Sequence, residues 1–397
     1  MKVLTAARMF NGTTTADPVI VIDGERIAAV GGPIPPGAEV VDLGGATLLP
    51  GLVDAHVHLA FDASEDPVAS LARRDAAETF AAMCAAGRRA VLGGVTTVRD
   101  LGDVGYLGLG VRDAARNDPT LPHIVAAGVP VTTPGGHCHF LGEGVGGVAG
   151  LRAAVRARHE RGVDVIKVMA SGGNMTPGSR PELPQYTLEE LRVLVEEAHG
   201  LGLPVAAHAH GTRAVLDVVA AGVDSIEHAS FMTADSVDDI PDGFLDDVVA
   251  RGIVLSLTLG MRPGPGLAPP PPQMLSRLPR LIANAARMAA SGAAIVVGSD
   301  AGIAPIKPHD VLRDSPAHLA QIGLTPAEAL RAITSRAAAA IGLGGRKGCL
   351  APGYDADVLV VDGDPLTDPG ALGRVLAVYV RGSEVAGAAL NSSRSTA

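Results

Sequence analysis

Two histidines one residue apart end a short apolar segment near the start of the chain. The segment spans residues 49–59 and contains His56 and His58. Alternate side chains of an extended strand share a face, so both imidazoles would point the same way and could hold one metal ion together. The alternative is a pair of half-buried histidines bonded to backbone carbonyls. The rest of the chain must distinguish a metal site from a structural role.

The middle of the chain alternates apolar strand-like runs with helical patterns, which is typical of parallel βα units. Helices are predicted at 188–199, after a Thr187 cap, and at 325–341, with Pro326 in the first position. Eight units predict an α/β fold of the (β/α)8 TIM-barrel type, whose reactive residues lie at the C-terminal ends of the strands. The eight predicted strands are 52–56, 95–100, 123–127, 163–169, 205–208, 225–228, 253–257 and 294–298.

Residues that can bind metal recur at the ends of these strands, and the barrel would bring them to one mouth. Four imidazoles, one carboxylate and one lysine make up the set, which suits zinc or a similar divalent ion and does not resemble a calcium site. The members are His56 and His58 on strand one, Lys167 in strand four, His208 on strand five, His228 on strand six and Asp300 after strand eight.

Lys167 is unusual because only four of the 32 basic residues are lysines, and this one interrupts an apolar strand. Burial and nearby metal ions would both favour its neutral amine, lowering a pKa that starts near ~10.4. A neutral amine can add carbon dioxide to form a carbamate, whose two oxygens could bridge two metal ions. The alternative is a lysine that extends its ammonium to solvent at a strand end.

Short strands occupy both ends of the chain. A hairpin is predicted at 19–30 and further strands within 353–363 and 375–382. We therefore predict a discontinuous small β-sandwich domain, built from 1–49 and 345–390, beside a barrel domain at 50–344. Two long loops, 171–186 and 260–276, are predicted to be lids over the barrel mouth, with disordered surface insertions as the alternative.

Composition favours an acidic enzyme over a nucleic-acid binder, because the net charge is −10 and no basic stripe is present. The first nine residues lack an apolar signal core, and no apolar run reaches membrane-spanning length. Three scattered cysteines do not form a disulfide framework. These features predict a cytoplasmic protein with neither nucleic acid nor membrane as a partner.

With these motifs in place, the chain resembles the amidohydrolase superfamily, the metal-dependent hydrolases built on a TIM barrel. The resemblance rests on 50–58, 165–169, 226–228, 298–301 and His208. Segments 135–140 and 169–173 are similar to the binuclear branch, which contains Xaa-Pro dipeptidases, zinc carboxypeptidases and related amide hydrolases.

The resemblance implies two divalent ions, most simply Zn²⁺, bridged by carbamylated Lys167 and a shared hydroxide. Asp300 is expected to be the general base and then the general acid for cleavage of an amide bond in a small peptide-like or N-acyl amino acid substrate. A homo-oligomer is also implied. One ion would be bound by His56, His58, Lys167 and Asp300, and the other by Lys167, His208 and His228.

Substrate contacts are predicted from the loops. His137 or His139, after strand three, would stabilise the developing oxyanion or bind a substrate carboxylate, and His210 is a further candidate. Arg180 and Arg262, on the two predicted lids, would add cations, so a free carboxylate beside the scissile amide is the expected preference. For each histidine the alternative is a role in stabilising its loop.

Two other functions stay open. The first is a mononuclear zinc enzyme that hydrolyses a cyclic amide or deaminates a heterocycle, against which Lys167 argues. The second is a catalytically silent homologue that serves as a scaffold, against which the complete ligand set argues.

Overall fold

The computed structural model describes residues 1–265, 267 and 271–386. Part of the predicted loop 260–276, namely 266 and 268–270, and the end of the predicted small domain, 387–390, lie outside the described residues. Six strands come first in the chain: β1 Lys2–Thr5, β2 Arg8–Met9, β3 Val19–Asp23, β4 Arg26–Val30, β5 Glu39–Asp42 and β6 Thr47–Pro50.

Eight parallel strands follow and place the candidate site. They form one three-stranded sheet, β7-β8-β9, and one five-stranded sheet, β10-β11-β12-β13-β14. The strands are β7 Leu52–Val57, β8 Val95–Asp100, β9 His123–Ala126, β10 Ile166–Met169, β11 Val205–Gly211, β12 Ser225–Met232, β13 Val254–Leu257 and β14 Ile295–Val297.

Single parallel bridges connect the two sheets on both sides. Val131, just after β9, pairs with Val168 of β10, and Val57 of β7 pairs with Ala301, just after β14. Most residues of these strands are buried, as expected for parallel strands covered by helices. The chain therefore has a TIM-barrel-like α/β fold, and each of the eight predicted strands overlaps an observed one.

The helices lie between and after these strands. Capping boxes begin three of them, at Asp75 with Glu78, at Thr187 with Glu190 and at Thr325 with Glu328. The helices are α1 Pro67–Ala72, α2 Ala76–Leu92, α3 Leu107–Ala115, α4 Val148–Glu160, α5 Leu188–Gly200, α6 Thr212–Ala221, α7 Phe244–Arg251, α8 Pro272–Ala290, α9 Ser315–Gln321, α10 Pro326–Ala332 and α11 Ser335–Ala340.

The single helix predicted at 325–341 is wrong, because the structure divides it into α10 and α11. The Ile333 carbonyl accepts a hydrogen bond from the Val53 amide of β7, at 2.8 Å. The Thr334 hydroxyl donates to the Leu330 carbonyl, at 2.6 Å. Both acceptors are carbonyls that a continuous helix would use internally, so docking onto β7 interrupts the helix.

Strands from both ends of the chain form two small sheets. The later strands are β15 Val358–Val361, β16 Val375–Val380 and β17 Ser383–Ala386. One sheet has the order β4-β3-β1-β5 and the other β17-β16-β15-β6-β2, in which β6 pairs antiparallel with β15. A buried cluster that includes Leu4, Ile20, Leu48, Val358 and Tyr379 contains residues of both sheets. No helix in the described part of the chain is long and apolar enough to cross a membrane.

Candidate metal centre

A cavity of about 560 Å³ opens where the parallel strands end. Its wall contains all six residues that the sequence predicts as metal ligands. Two of them have backbone conformations that side chains rarely adopt, His228 with φ 73° and Asp300 with φ 58°. Strained backbone of this kind is typical of functional sites.

The first ligand group is formed by His56, His58 and Asp300. The two Nε2 atoms are 3.2 Å apart, and Asp300 Oδ1 lies 3.6 Å from His56 Nε2 and 3.4 Å from His58 Nε2. The Asp300 amide donates to the His56 carbonyl at 2.7 Å, which holds the two strand ends together. Gly298 allows this approach, since a Cβ there would lie 2.2 Å from the Cβ of His56.

These distances fit a metal ion. A tetrahedral zinc ion with Zn–N distances of about 2.0–2.1 Å separates its ligand atoms by about 3.3 Å. His58 Nδ1 lies 3.2 Å from the Gly102 carbonyl, which can only accept, so its proton is on Nδ1 and the Nε2 lone pair faces the group. The donor set and its spacing therefore fit a divalent metal ion.

Lys167 lines the same cavity as this group, with only 1% of its surface exposed. Its Nζ has no hydrogen-bond partner among the described residues. Burial lowers the pKa of Lys167 to about 8, although Glu227 and Asp300 oppose the shift. A buried amine that lacks a partner and is partly neutral fits the carbamate chemistry predicted from the sequence.

A second ligand group contains His208, His210 and His228. The ring centroids of His208 and His228 are 4.7 Å apart, and His210 stacks on His228 at 4.3 Å. His208 Nε2 lies 2.9 Å from the Gly172 carbonyl, and His228 Nδ1 lies 3.0 Å from the hydroxyl of Thr258. His210 was predicted only as a substrate contact, whereas the structure places it within ligand distance of the other two.

Burial favours the neutral form of four of the imidazoles in the two ligand groups. It lowers the pKa of His56 and of His210 to about 4, and it lowers the pKa of His208 and of His228 well below the usual value. Metal binding requires the unprotonated nitrogen, so the environment supplies the correct protonation state at neutral pH. Burial would raise the pKa of Asp300, but His56, His58 and Lys307 together hold it well below its ordinary range.

Sequence reasoning missed a buried ion pair behind His56. Glu227 Oε2 lies 3.0 Å from His56 Nδ1, and its other oxygen accepts from Arg99 Nη2 at 2.8 Å. Arg99 also donates to the Ala55 carbonyl at 2.7 Å. The signals available in the sequence were Arg99, near the end of a predicted strand, and Glu227, directly before His228.

Lys307 is a second residue that the sequence analysis did not assign. It lines the cavity, and its Nζ donates to the backbone carbonyls of Ser299 at 2.7 Å and Thr258 at 3.1 Å. The lysine therefore ties the end of β14 to the segment after β13 and adds positive charge near Asp300. Its rarity as a lysine was the only signal in the sequence.

The predicted substrate contacts divide into two groups. His137 and His210 line the cavity. His137 Nδ1 lies 3.0 Å from the Thr176 hydroxyl, and burial lowers its pKa to about 3. Gly173 permits the packing of the His137 ring, because a Cβ there would lie 2.3 Å from His137 Nε2.

His139, Arg180 and Arg262 are not among the described residues that line the cavity. His139 is exposed, and its Nδ1 lies 2.9 Å from the Gly136 carbonyl. Arg180 pairs with Glu182 at 2.6 Å. Arg262 pairs with Asp310 and with Asp314, each at 2.8 Å. The structure thus brings together the metal ligands, His137 and His210, but not these three side chains.

Comparisons with known proteins agree with this geometry. Residues 47–385 match the model of the Amidohydrolase family. Ochratoxinase of Aspergillus niger is 31% identical over 352 residues, which cover 81% of this chain and 71% of that protein. The crystal structure of A. niger ochratoxinase has a TM-score of 0.80 and 27% identity, and the match covers 98% of this chain and 96% of that one.

A Xaa-Pro dipeptidase crystallised with bound methionine has a TM-score of 0.82, with 25% identity over 97% of this chain and 100% of that one. The family match extends over most of the chain and includes every predicted metal ligand. The chain therefore belongs to the amidohydrolase family and is a hydrolase that acts on carbon–nitrogen bonds.

Proposed function

We propose that this protein is a binuclear metal-dependent hydrolase that cleaves an amide bond in a small peptide-like or N-acyl amino acid substrate. The observation that carries the proposal is the meeting of His56, His58 and Asp300 at 3.2–3.6 Å, beside a second group of imidazoles. The ligand sets are His56, His58, Lys167 and Asp300 for one zinc ion, and Lys167, His208 and His228 for the other.

Lys167 would bridge the two ions as a carbamate. Its neutral amine, which has no hydrogen-bond partner among the described residues, would add carbon dioxide and release a proton, and the two oxygens of the resulting anionic carbamate would be the ligand atoms. His210 is the competing ligand for the second ion, because it lies in the same imidazole group as His208 and His228.

When bound, the ions polarise the amide carbonyl and lower the pKa of water. Asp300 Oδ1 lies 3.6 and 3.4 Å from the two Nε2 atoms, in the position of a metal ligand, so the other carboxylate oxygen of Asp300 would accept a proton from water and pass it to the departing nitrogen. His137 and His210 line the same cavity and would donate to the developing oxyanion or contact the substrate.

We also propose that the eight parallel strands close into one barrel spanning 50–344, with 1–49 and 345–390 forming a separate small sandwich domain. The two single bridges between the sheets support closure. The pairing of β6 with β15 supports the sandwich. The homo-oligomer and the cytoplasmic location stay predictions from the sequence.

The relatives support an amide as the scissile bond, since they are named as an ochratoxinase and a Xaa-Pro dipeptidase. The mononuclear alternative is disfavoured by a second imidazole group at ligand distance. The silent scaffold is disfavoured because every expected ligand lines one cavity.

The test combines a metal count with a substrate screen. Zinc-loaded protein is analysed for metal per chain and assayed with dipeptides, N-acyl amino acids, lactones and cyclic amides. Two zinc ions per chain and hydrolysis of linear amides are expected. One ion per chain with activity confined to cyclic amides or amino-heterocycles would favour the mononuclear enzyme. Full metal loading without any hydrolysis would favour the scaffold.

A further inference from the structure

Most of the cavity wall other than the imidazoles and the charged side chains is apolar. Its side chains come from the strand ends, from the segment after β13 and above all from α8. They include Met169, Met175, Met232, Leu257, Leu259, Met261, Met274, Leu278, Leu281, Ile282, Met288, Ile303 and Ile322. A cavity of about 560 Å³ with such a lining has the size and character of a site for a bulky small molecule.

One face of α8 supplies much of this wall. Met274, Leu278, Leu281, Ala285 and Met288 follow one another at intervals of three or four residues, so they share a side of the helix and line the cavity. The spacing explains why a helix with several arginines still contributes an apolar surface.

The position of α8 is set by hydrogen bonds to the segment after β12. Asn284 Nδ2 donates to the Asp238 carbonyl at 2.8 Å, and Arg287 donates to the Ile240 carbonyl at 3.1 Å. Arg277 donates to the carbonyls of Thr233 and Ala234 at 2.9 and 2.7 Å. The apolar face of α8 is therefore held over the cavity.

Charge in the cavity is confined to its metal-binding end. Among the described lining residues the charged side chains are Lys167, Asp300 and Lys307. Lys167 and Asp300 are proposed metal ligands, and the Nζ of Lys307 donates to backbone carbonyls. Burying an unpaired anion against the α8 face would be strongly unfavourable, so the part of the cavity beside α8 selects against charged groups.

Methionine provides six of the apolar lining side chains, out of nine methionines in the whole chain. Its unbranched, polarisable side chain adapts to differently shaped apolar partners, which suits a wall that accepts bulky groups of more than one shape. Aromatic rings and branched or extended aliphatic chains are both compatible with this surface.

We infer that the substrate amide carries a bulky, uncharged, apolar group on one side of the scissile bond and that this group lies against α8. The inference rests on the proposed amide hydrolysis. The C–N bond breaks, water supplies the oxygen of the new carboxylic acid, and the protons of water go to the acid and the departing amine. A substrate carboxylate would then be bound only at the imidazole end.

The substrate test uses two matched series of amides with zinc-loaded enzyme. The first varies the acyl group of a p-nitroanilide through acetyl, butyryl, hexanoyl, benzoyl and succinyl, and the second varies the amine on a fixed acetyl group. In the series that varies the group lying against α8, kcat/KM should rise about fourfold per added methylene, which corresponds to ~0.8 kcal/mol per buried methylene. The anionic succinyl compound should be at least tenfold poorer than hexanoyl.

The variant test uses two positions on α8. Leu278 lines the cavity, whereas Leu275 is 48% exposed and is not among the described lining residues. Leu278→Lys should lower kcat/KM for the best apolar substrate at least tenfold and narrow its advantage over the succinyl compound. Leu275→Lys adds the same charge to the same helix and should change neither value.

A binding measurement separates this inference from the proposed chemistry. Nile red, an uncharged apolar dye, should bind the metal-free protein, and Leu278→Lys should weaken binding at least fivefold while Leu275→Lys does not. Equal kcat/KM throughout both series, or dye binding that is indifferent to Leu278→Lys, would overturn the inference while leaving the hydrolase intact. Absence of all amide hydrolysis together with Leu278-dependent dye binding would instead remove the proposed function.

Discussion

Oε2 of Glu227 lies 3.0 Å from Nδ1 of His56, whose Nε2 meets His58 and Asp300 on the other side of the ring. Both side chains are buried. Burial would raise the pKa of Glu227, but Arg99, His56 and Lys167 hold it well below its ordinary range, so it is an anion. A carboxylate at Nδ1 fixes the tautomer of an imidazole and leaves the Nε2 lone pair for a metal ion.

Glu227→Gln is therefore expected to weaken zinc binding by about 10–100-fold, the usual effect of losing such a partner. Competition with a chromophoric chelator measures the affinity. Asp357→Asn is the matched control, because Asp357 is a buried carboxylate that pairs with Lys347 at 2.6 Å. The control should lose stability without losing zinc affinity. Equal zinc affinity in Glu227→Gln and the parent would mean that Glu227 does not orient His56.

Asp300→Asn should keep the fold and most of the metal but lower kcat by several orders of magnitude. Asparagine keeps the size and one oxygen ligand, yet it cannot accept and return a proton. Metal content and kcat are measured on the same preparation. Asp310→Asn, which changes a carboxylate that pairs with Arg89 and Arg262 instead, should stay within tenfold of the parent. A kcat for Asp300→Asn within tenfold of the parent would refute the proton-transfer role.

Much of the parallel-strand fold could be predicted from the sequence because strand signals are local. Each predicted strand overlaps an observed one, and the two-residue period correctly brought His56 and His58 together. The ligand positions at the mouth then follow from parallel topology alone, without knowledge of any contact.

The contacts behind the ligands could not be predicted, because they join residues far apart in sequence. Arg99 of β8 meets Glu227 of β12, and Lys307 reaches the carbonyl of Thr258. The sequence also could not decide whether His210 contacts substrate or metal. It lies on the same strand face as His208, but its position beside His228 depends on a register shift between β11 and β12 after Ala209.

The loop cations show a different limit of sequence reasoning. Arg262 lies in a loop close to the mouth, so a cation for substrate was a reasonable expectation. The structure instead pairs it with Asp310 and Asp314, which come from the segment after β14. A sequence reveals that a charge is present near a site but not which opposite charge already neutralises it.

His123 provides a pH-dependent prediction outside the metal centre. Its pKa is lowered to about 4, first by burial and then by the positive charges of Lys347 and Arg346, while Asp357 and Asp355 oppose the shift. The unfolded chain, with a pKa near ~6.5, binds a proton that the folded protein does not bind. The free energy of unfolding therefore falls as pH drops from about 6.5 towards 4, by about 2 kcal/mol from this residue.

His123→Gln should remove this contribution. Between pH 7 and pH 4.5 the free energy of unfolding of the variant should therefore fall by about 2 kcal/mol less than that of the parent. Urea unfolding of the metal-free proteins at both pH values measures the difference. His159→Gln, which removes an exposed histidine of α4, is the control and should follow the parent. If the free energies of unfolding of His123→Gln and the parent differ by the same amount at both pH values, the pH dependence does not come from His123.

Lys167→Ala should lower zinc content and abolish hydrolysis, because it removes the proposed bridge between the two ligand groups. Acetate or propionate should restore part of the rate, since either can place a carboxylate in the space left by the carbamate. Arginine should not substitute, because a guanidinium stays charged and forms no comparable carbamate. Lys307→Ala is the comparison, since that lysine binds backbone carbonyls and its loss should not be rescued by acetate.

The carbamate also predicts how the metal-free protein recovers. Activity should return faster when zinc is added together with bicarbonate than with zinc alone, because the amine of Lys167 must take up carbon dioxide before it can act as a ligand. The lowered pKa of Lys167, about 8, leaves a fraction of neutral amine available at neutral pH. Recovery that is independent of bicarbonate, together with full zinc content in Lys167→Ala, would show that the lysine is structural and would favour the mononuclear enzyme.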